Sequence, residues 1–171
     1  MKKTFLLLLT IIITLSANAQ KCDYIKNEVD AFTGEKIVIT NFVNINKKFT
    51  SRHFFAHSFG FSGGFYFINL KLTGGGQSLF ISKGNKLLLK LNDDSILEFE
   101  ASEAQKTEFN SINGASYSYI VPSYNLSKEQ LALIANTGIK LMRMETSENQ
   151  YDSEVTEKDN KKIKQSINCI L

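Results

Sequence analysis

The two cysteines of this 171-residue chain, Cys22 and Cys169, lie close to its opposite ends. In an oxidising compartment such a pair is expected to form a disulfide, which would require the first and last elements of the fold to lie side by side. Two unpaired thiols are the alternative. A metal site fits the sequence less well, because neither cysteine has a second cysteine or a histidine nearby in the chain.

Residues 1–19 have the layout of a cleavable secretory signal. Two lysines follow the first methionine, an apolar run occupies residues 5–15, and the small residues Ala17 and Ala19 stand where a signal peptidase requires them. The apolar run is shorter than the roughly 20 residues of a membrane span. We therefore expect cleavage after Ala19 rather than a retained anchor, with no membrane span in the mature chain.

The remaining residues, 20–171, have a length that suits one domain. The whole chain has 20 Lys and Arg against 17 Asp and Glu, and cleavage removes two lysines, so the mature net charge is about +1. This balance provides no strong field for a nucleic acid or an anionic membrane. We predict neither as a partner.

The stretch HFFAHSFGFSGGFYFINLKLTGGG, residues 53–76, combines phenylalanines with both histidines and several glycines. Residues 62–64 predict a hairpin turn, with a bulge in one long strand as the alternative. Side chains alternate between the faces of a strand, so the aromatic residues at odd positions are expected to share one face and to supply the core. The alternative is an exposed surface for a protein or glycan partner, formed by Phe55, Phe59, Phe61 and Phe65.

Other segments have the alternation typical of antiparallel strands. Residues 33–35 are a turn signal between a weak strand and KIVITNFVNI, residues 36–45, so this pair predicts a hairpin. ILEFEAS, residues 96–102, alternates as a half-solvated strand does. Pro122 limits YSYIVPSYNL to an edge strand or a bulged strand.

Two helices are predicted towards the C-terminus. Ser127 and Gln130 form a capping box before a short helix at about 128–136, and Thr156 can cap a C-terminal helix at about 156–169. The connection through the first helix is long enough for its flanking strands to be parallel neighbours. The predicted fold class is α+β, with a mostly antiparallel, twisted sheet of about 6–9 strands and both helices packed on it.

No pattern indicates a catalytic residue, a cofactor site or a metal ligand. His53 and His57 would lie roughly 13 Å apart on a strand, too far to hold one ion, so a packed or surface histidine is the simpler interpretation. Glu98 and Glu100 would lie ~6.5 Å apart, but any solvated strand face has this pattern. The glycines at 74–76 lack the following lysine and hydroxyl residue of a phosphate loop.

Several features together resemble a group of small secreted proteins of the Bacteroidetes type. They are a leader ending in Ala-Gln, a terminal helix ending in cysteine, and the segments EVDAFTGEK, ISKGNKLLLKLNDDSILEFE and YNLSKEQLALIANTGIKLMRME. The resemblance covers nearly all of the mature chain and implies secretion and an α+β domain. That group has no assigned activity, so the resemblance transfers no catalytic residue.

The sequence therefore favours a secreted, non-enzymatic protein that binds a partner or supports the cell envelope, either in the periplasm or outside the cell. The alternative is a secreted hydrolase that acts on an envelope or environmental polymer. In that case Glu98 or Glu100 would have to converge with a histidine in space.

Overall fold

The computed structural model describes residues 22–45, 53–74, 77–112 and 115–171. The predicted leader at 1–19 and the glycines at 75–76 lie outside the described residues. Strands account for 54% of the structure and helices for 16%, which confirms an α+β fold in which strands predominate.

In chain order, the described elements are β1 (Tyr24–Val29), β2 (Lys36–Thr40), β3 (Val43–Ile45), β4 (Phe54–Ser62), β5 (Phe65–Gly74), β6 (Phe80–Ile81), β7 (Lys86–Leu91), β8 (Ile96–Glu100), β9 (Gln105–Lys106), β10 (Glu108–Ile112), β11 (Ala115–Ile120), β12 (Ser123–Leu126), α1 (Lys128–Thr137), β13 (Ile139–Glu145), β14 (Gln150–Glu154) and α2 (Glu157–Asn168).

The strands form antiparallel sheets. The larger sheet has the order β1-β2-β4-β5-β11-β10, with β3 also paired to β4 and β12 also paired to β5. The smaller sheet has the order β14-β13-β7-β8, and β6 pairs with β9. The predicted antiparallel sheet of about 6–9 strands is thus confirmed in part: the larger sheet has eight strands, but the remaining described strands form two further sheets. Each main sheet has an apolar face, and the buried residues of both belong to one hydrophobic cluster.

Both helices begin at capping boxes, one between Ser127 and Gln130 and the other between Thr156 and Asp159. The helices pack on each other, and α2 also contacts β3 and β4. The predicted parallel pairing around α1 is wrong, because β12 belongs to the larger sheet and β13 to the smaller one. Within the described segments, no helix is long and apolar enough to cross a membrane.

Two segments predicted as single strands are each divided. The break between β2 and β3 follows Thr40, whose Oγ1 donates to the carbonyl of Phe59 at 3.2 Å and accepts from its N–H at 3.0 Å. The side chain thus takes the place of a backbone partner in the ladder. The break between β11 and β12 contains Pro122, which has no N–H to donate; its carbonyl accepts from the N–H of Leu70 at 3.1 Å.

The predicted hairpin at residues 62–64 is confirmed. Gly63 and Gly64 form the turn between β4 and β5 with φ values of 58° and 78°, a region that favours glycine. Phe61 faces Tyr66 across the hairpin, so an odd residue of β4 shares its face with an even residue of β5. Phe65 therefore lies on the opposite face from the core side chains of β4.

The predicted disulfide is also confirmed. Cys22 and Cys169 are bonded, with their Cα atoms 5.7 Å apart and 147 positions between them in the chain. The hydroxyl of Tyr24 donates to the carbonyl of Cys169 at 3.1 Å. The start of β1 is thus attached covalently and by a hydrogen bond to the end of α2.

Candidate functional site

Two hairpin turns lie side by side at one end of the larger sheet. The first turn, residues 30–35, joins β1 to β2, and the second, residues 63–64, joins β4 to β5. β2 is paired directly with β4. A Cβ atom added to Gly63 would lie 3.8 Å from Oε2 of Glu35, which places the turns next to each other.

These turns present aromatic side chains to solvent. Phe32 is 100% exposed and Phe65 is 68% exposed. The half-buried rings of Phe61 and Tyr66 form a tilted pair with centroids 4.8 Å apart, on the other face of the β4–β5 hairpin from Phe65. We define the tip surface as the two exposed residues, Phe32 and Phe65.

The turn that holds Phe32 is ordered by its own hydrogen bonds. Oδ1 of Asp30 accepts from the backbone N–H of Thr33 at 2.7 Å and from that of Phe32 at 2.9 Å. Both bonds lower the pKa of the Asp30 carboxyl group, and the bond from Thr33 has the larger effect. The N–H of Asp30 donates to Glu35 across the hairpin at 2.8 Å. The exposed ring is therefore presented by a well-bonded turn.

The structure divides the four phenylalanines that the sequence placed on one possible surface. Phe55 and Phe59 are buried in the core, so their assignment to a partner surface is wrong. Phe61 is half-buried, and only Phe65 is largely exposed. Sequence reasoning missed Phe32, although the turn signal at residues 33–35 would have placed it beside a turn.

His57 lies on the core face of β4 and is completely buried. Neither of its ring nitrogens has a hydrogen-bond partner, and its ring makes an edge contact with Phe59 at 5.4 Å between centroids. Burial and, to a smaller extent, the charge of Lys162 lower its pKa to about 3, while the charge of Asp159 opposes the shift. The ring is therefore neutral at ordinary pH, and it has no access to a substrate.

His53 immediately precedes β4, at the end of this strand that is away from the tip surface. Its ring centroid is 5.0 Å from that of Tyr151, and its Nε2 is buried without a hydrogen-bond partner. Tyr151 also lines a cleft of about 290 Å³, which His53 does not line. In this cleft Oγ1 of Thr146 is engaged with the backbone of Asn149, to which it donates at 2.9 Å and from which it accepts at 3.0 Å.

The carboxylates considered for the hydrolase belong to the smaller sheet, whereas His57 belongs to the larger one. Glu98 and Glu100 are exposed on β8, on the solvent face of the smaller sheet, and Glu98 forms an ion pair with Lys86 at 2.6 Å. His57 is enclosed in the core, so the structure does not bring these acids and this histidine together. Among the described residues, no three His, Cys, Asp or Glu side chains are grouped so that they could hold a metal ion.

Comparison with known proteins adds no family to this description. No protein-family model, no curated protein and no solved structure matches the chain.

Proposed function

We propose that this protein is an exported, non-enzymatic binding protein that attaches to a protein of the cell envelope through the tip surface. The observation that supports this proposal is the pair of exposed phenylalanines, Phe32 and Phe65, at adjacent turns. The leader-like residues 1–19, the disulfide and the resemblance to secreted proteins support export.

A partner that binds the tip surface would bury the two exposed phenyl rings. Removing a phenylalanine side chain from water contributes about 1.5–3 kcal/mol. Aromatic residues that fill a partner's pocket supply much of the free energy of binding at many interfaces. Phe32 lies in a turn and Phe65 follows one, and backbone bonds or paired strands restrain both turns, so less conformational entropy is lost on binding.

The chemistry of the tip surface favours a protein partner over a glycan. The exposed rings are phenyl groups without a polar atom, and the chain contains no tryptophan. Sugar-binding surfaces use the polar atoms of Trp and Tyr as well as their rings. Asp30, Glu35 and Lys36 border the exposed rings with charge, as the polar rim of a protein interface does.

The test measures how much of the purified protein sediments with envelopes from the bacterium that produces it. We expect Phe32→Ser and Phe65→Ser each to reduce the bound fraction several-fold. Phe109→Ser is the matched control, because Phe109 is 63% exposed on β10 at the other edge of the larger sheet. Equal binding by all three variants would exclude the tip surface as the binding site.

A second arm identifies the chemical class of the partner. Treating the envelopes with a protease before the protein is added should abolish sedimentation if the partner is a protein. Binding that survives the protease would overturn the assignment to a protein. Vesicles of envelope lipid and purified envelope polysaccharide would then be tested separately.

A further inference from the structure

We infer that two copies of this chain associate through β1, which pairs with β1 of the second copy in an antiparallel, two-fold arrangement. Among the described residues, β1 pairs with β2 alone and forms one edge of the larger sheet. An unpaired edge presents a row of backbone donors and acceptors to another strand. The inference does not depend on the tip surface.

The hydrogen bonds of the β1–β2 hairpin determine which backbone groups face the open edge. The N–H of Asp30 points towards β2, where it donates to Glu35 at 2.8 Å. Successive N–H groups of a strand point in alternate directions. Those of Asn27 and Val29 therefore face away from β2, which makes them available to a second strand.

The sequence of this edge is complementary to itself when the strand is reversed about Asn27. In this register Asn27 faces its own copy, and its outward N–H and carbonyl can form the hydrogen-bonded pair at the two-fold axis. Lys26 then stands opposite Glu28 of the second copy, and Glu28 opposite Lys26. Opposite charges at directly facing positions stabilise a strand pair, whereas like charges destabilise it.

The apolar residues of the edge match in the same register. Ile25, which is 54% exposed, stands opposite Val29 of the second copy, which is 64% exposed in the single chain. Both types are favoured in strands, and facing apolar pairs stabilise a sheet. Charge and apolar complementarity thus select the same register.

The ends of β1 limit the association to a dimer. A register shift between Tyr24 and Lys26 marks a bulge at one end, and the turn at residues 30–35 ends the strand at the other. Because both copies use the same edge, the contact closes on itself and does not extend into a fibre. About five residues per copy make a small interface, so the dimer should be weak and concentration-dependent.

Charge exchange tests the register directly. The dissociation constant would be measured by sedimentation equilibrium of the full chain, expressed for export and purified with its disulfide intact. Lys26→Glu alone or Glu28→Lys alone places two like-charged pairs across the axis, and we expect at least a tenfold weaker dimer. The double variant Lys26→Glu with Glu28→Lys restores both pairs, so it should restore the dissociation constant to within about threefold.

A backbone variant and a matched control complete the experiment. Asn27→Pro removes an outward N–H that β2 does not use, so it should leave the chain folded but weaken the dimer at least tenfold. Glu100→Lys is the control, because Glu100 is also exposed on an edge strand, in the smaller sheet. A monomer at every concentration, an unchanged constant in the single variants, or no recovery in the double variant would each overturn the inference.

Discussion

The core of the larger sheet and its tip contain the same residue type in opposite surroundings. Phe55 and Phe59 lie in β4, which α2 partly covers, and both are buried in the hydrophobic cluster that the two main sheets share. Phe32 and Phe65 lie at the turns beyond this cover and are exposed. The burial of a phenylalanine in this protein therefore depends on whether another element covers it.

The largest expected effect is the difference in stability between a variant of the core and a variant of the tip surface. Phe59→Ala removes a fully buried ring and leaves a cavity, so we expect a loss of about 3–5 kcal/mol in the free energy of unfolding. Phe65→Ala removes an exposed ring and should change it by less than about 0.5 kcal/mol. Urea unfolding of both variants measures the difference. Similar losses would show that the tip is part of the core.

A smaller effect on the free energy of unfolding is expected from the protonation of His57, a polar residue buried in the core. Its pKa is about 3 in the folded protein and 6.5 in the unfolded chain. A group with a lowered folded pKa contributes its full stability above the unfolded pKa, and this contribution is lost as the pH falls from about 6.5 towards 3. Between pH 7 and pH 5 the expected loss is about 2 kcal/mol.

The variant His57→Leu isolates this contribution. Leucine fills a similar volume without the two unpaired ring nitrogens, so the variant should be more stable than the native protein at pH 5 and should lack the pH dependence that His57 causes. Denaturant unfolding at pH 7, 6 and 5 compares the two proteins. Parallel curves over this range would contradict a buried, neutral histidine.

The smallest expected effect concerns Gly60, which lies in β4 opposite Phe67 of β5. On the solvent side, the ring of Phe67 covers Gly60, and a Cβ atom added there would lie 2.3 Å from Cζ of that ring. Gly60→Ala should displace the ring and cost about 1 kcal/mol, because the end of a half-buried side chain can move. The same substitution combined with Phe67→Leu should cost less, since leucine does not reach as far. An equal cost in both backgrounds would indicate that the backbone, not the ring, requires glycine.

Part of the candidate site could be predicted because turns have local signals. Gly63 and Gly64 predicted the hairpin turn and so the neighbourhood of Phe65. The predicted surface also contained Phe55 and Phe59, because the sequence indicates an aromatic face without showing whether another layer covers it. Counting odd positions through the turn also grouped Phe65 with the core residues, whereas the register places Phe61 opposite Tyr66.

Features that depend on neighbouring residues or on bond chemistry could be predicted without coordinates. These are the glycine turn, the two capping boxes and the pairing of the only two cysteines, Cys22 and Cys169. Long-range packing decides how the strands divide into separate sheets, where Thr40 interrupts a ladder, and which phenylalanines are covered. The physical reason is that alternation shows which face of a strand is apolar, but the element that covers this face comes from a distant part of the chain.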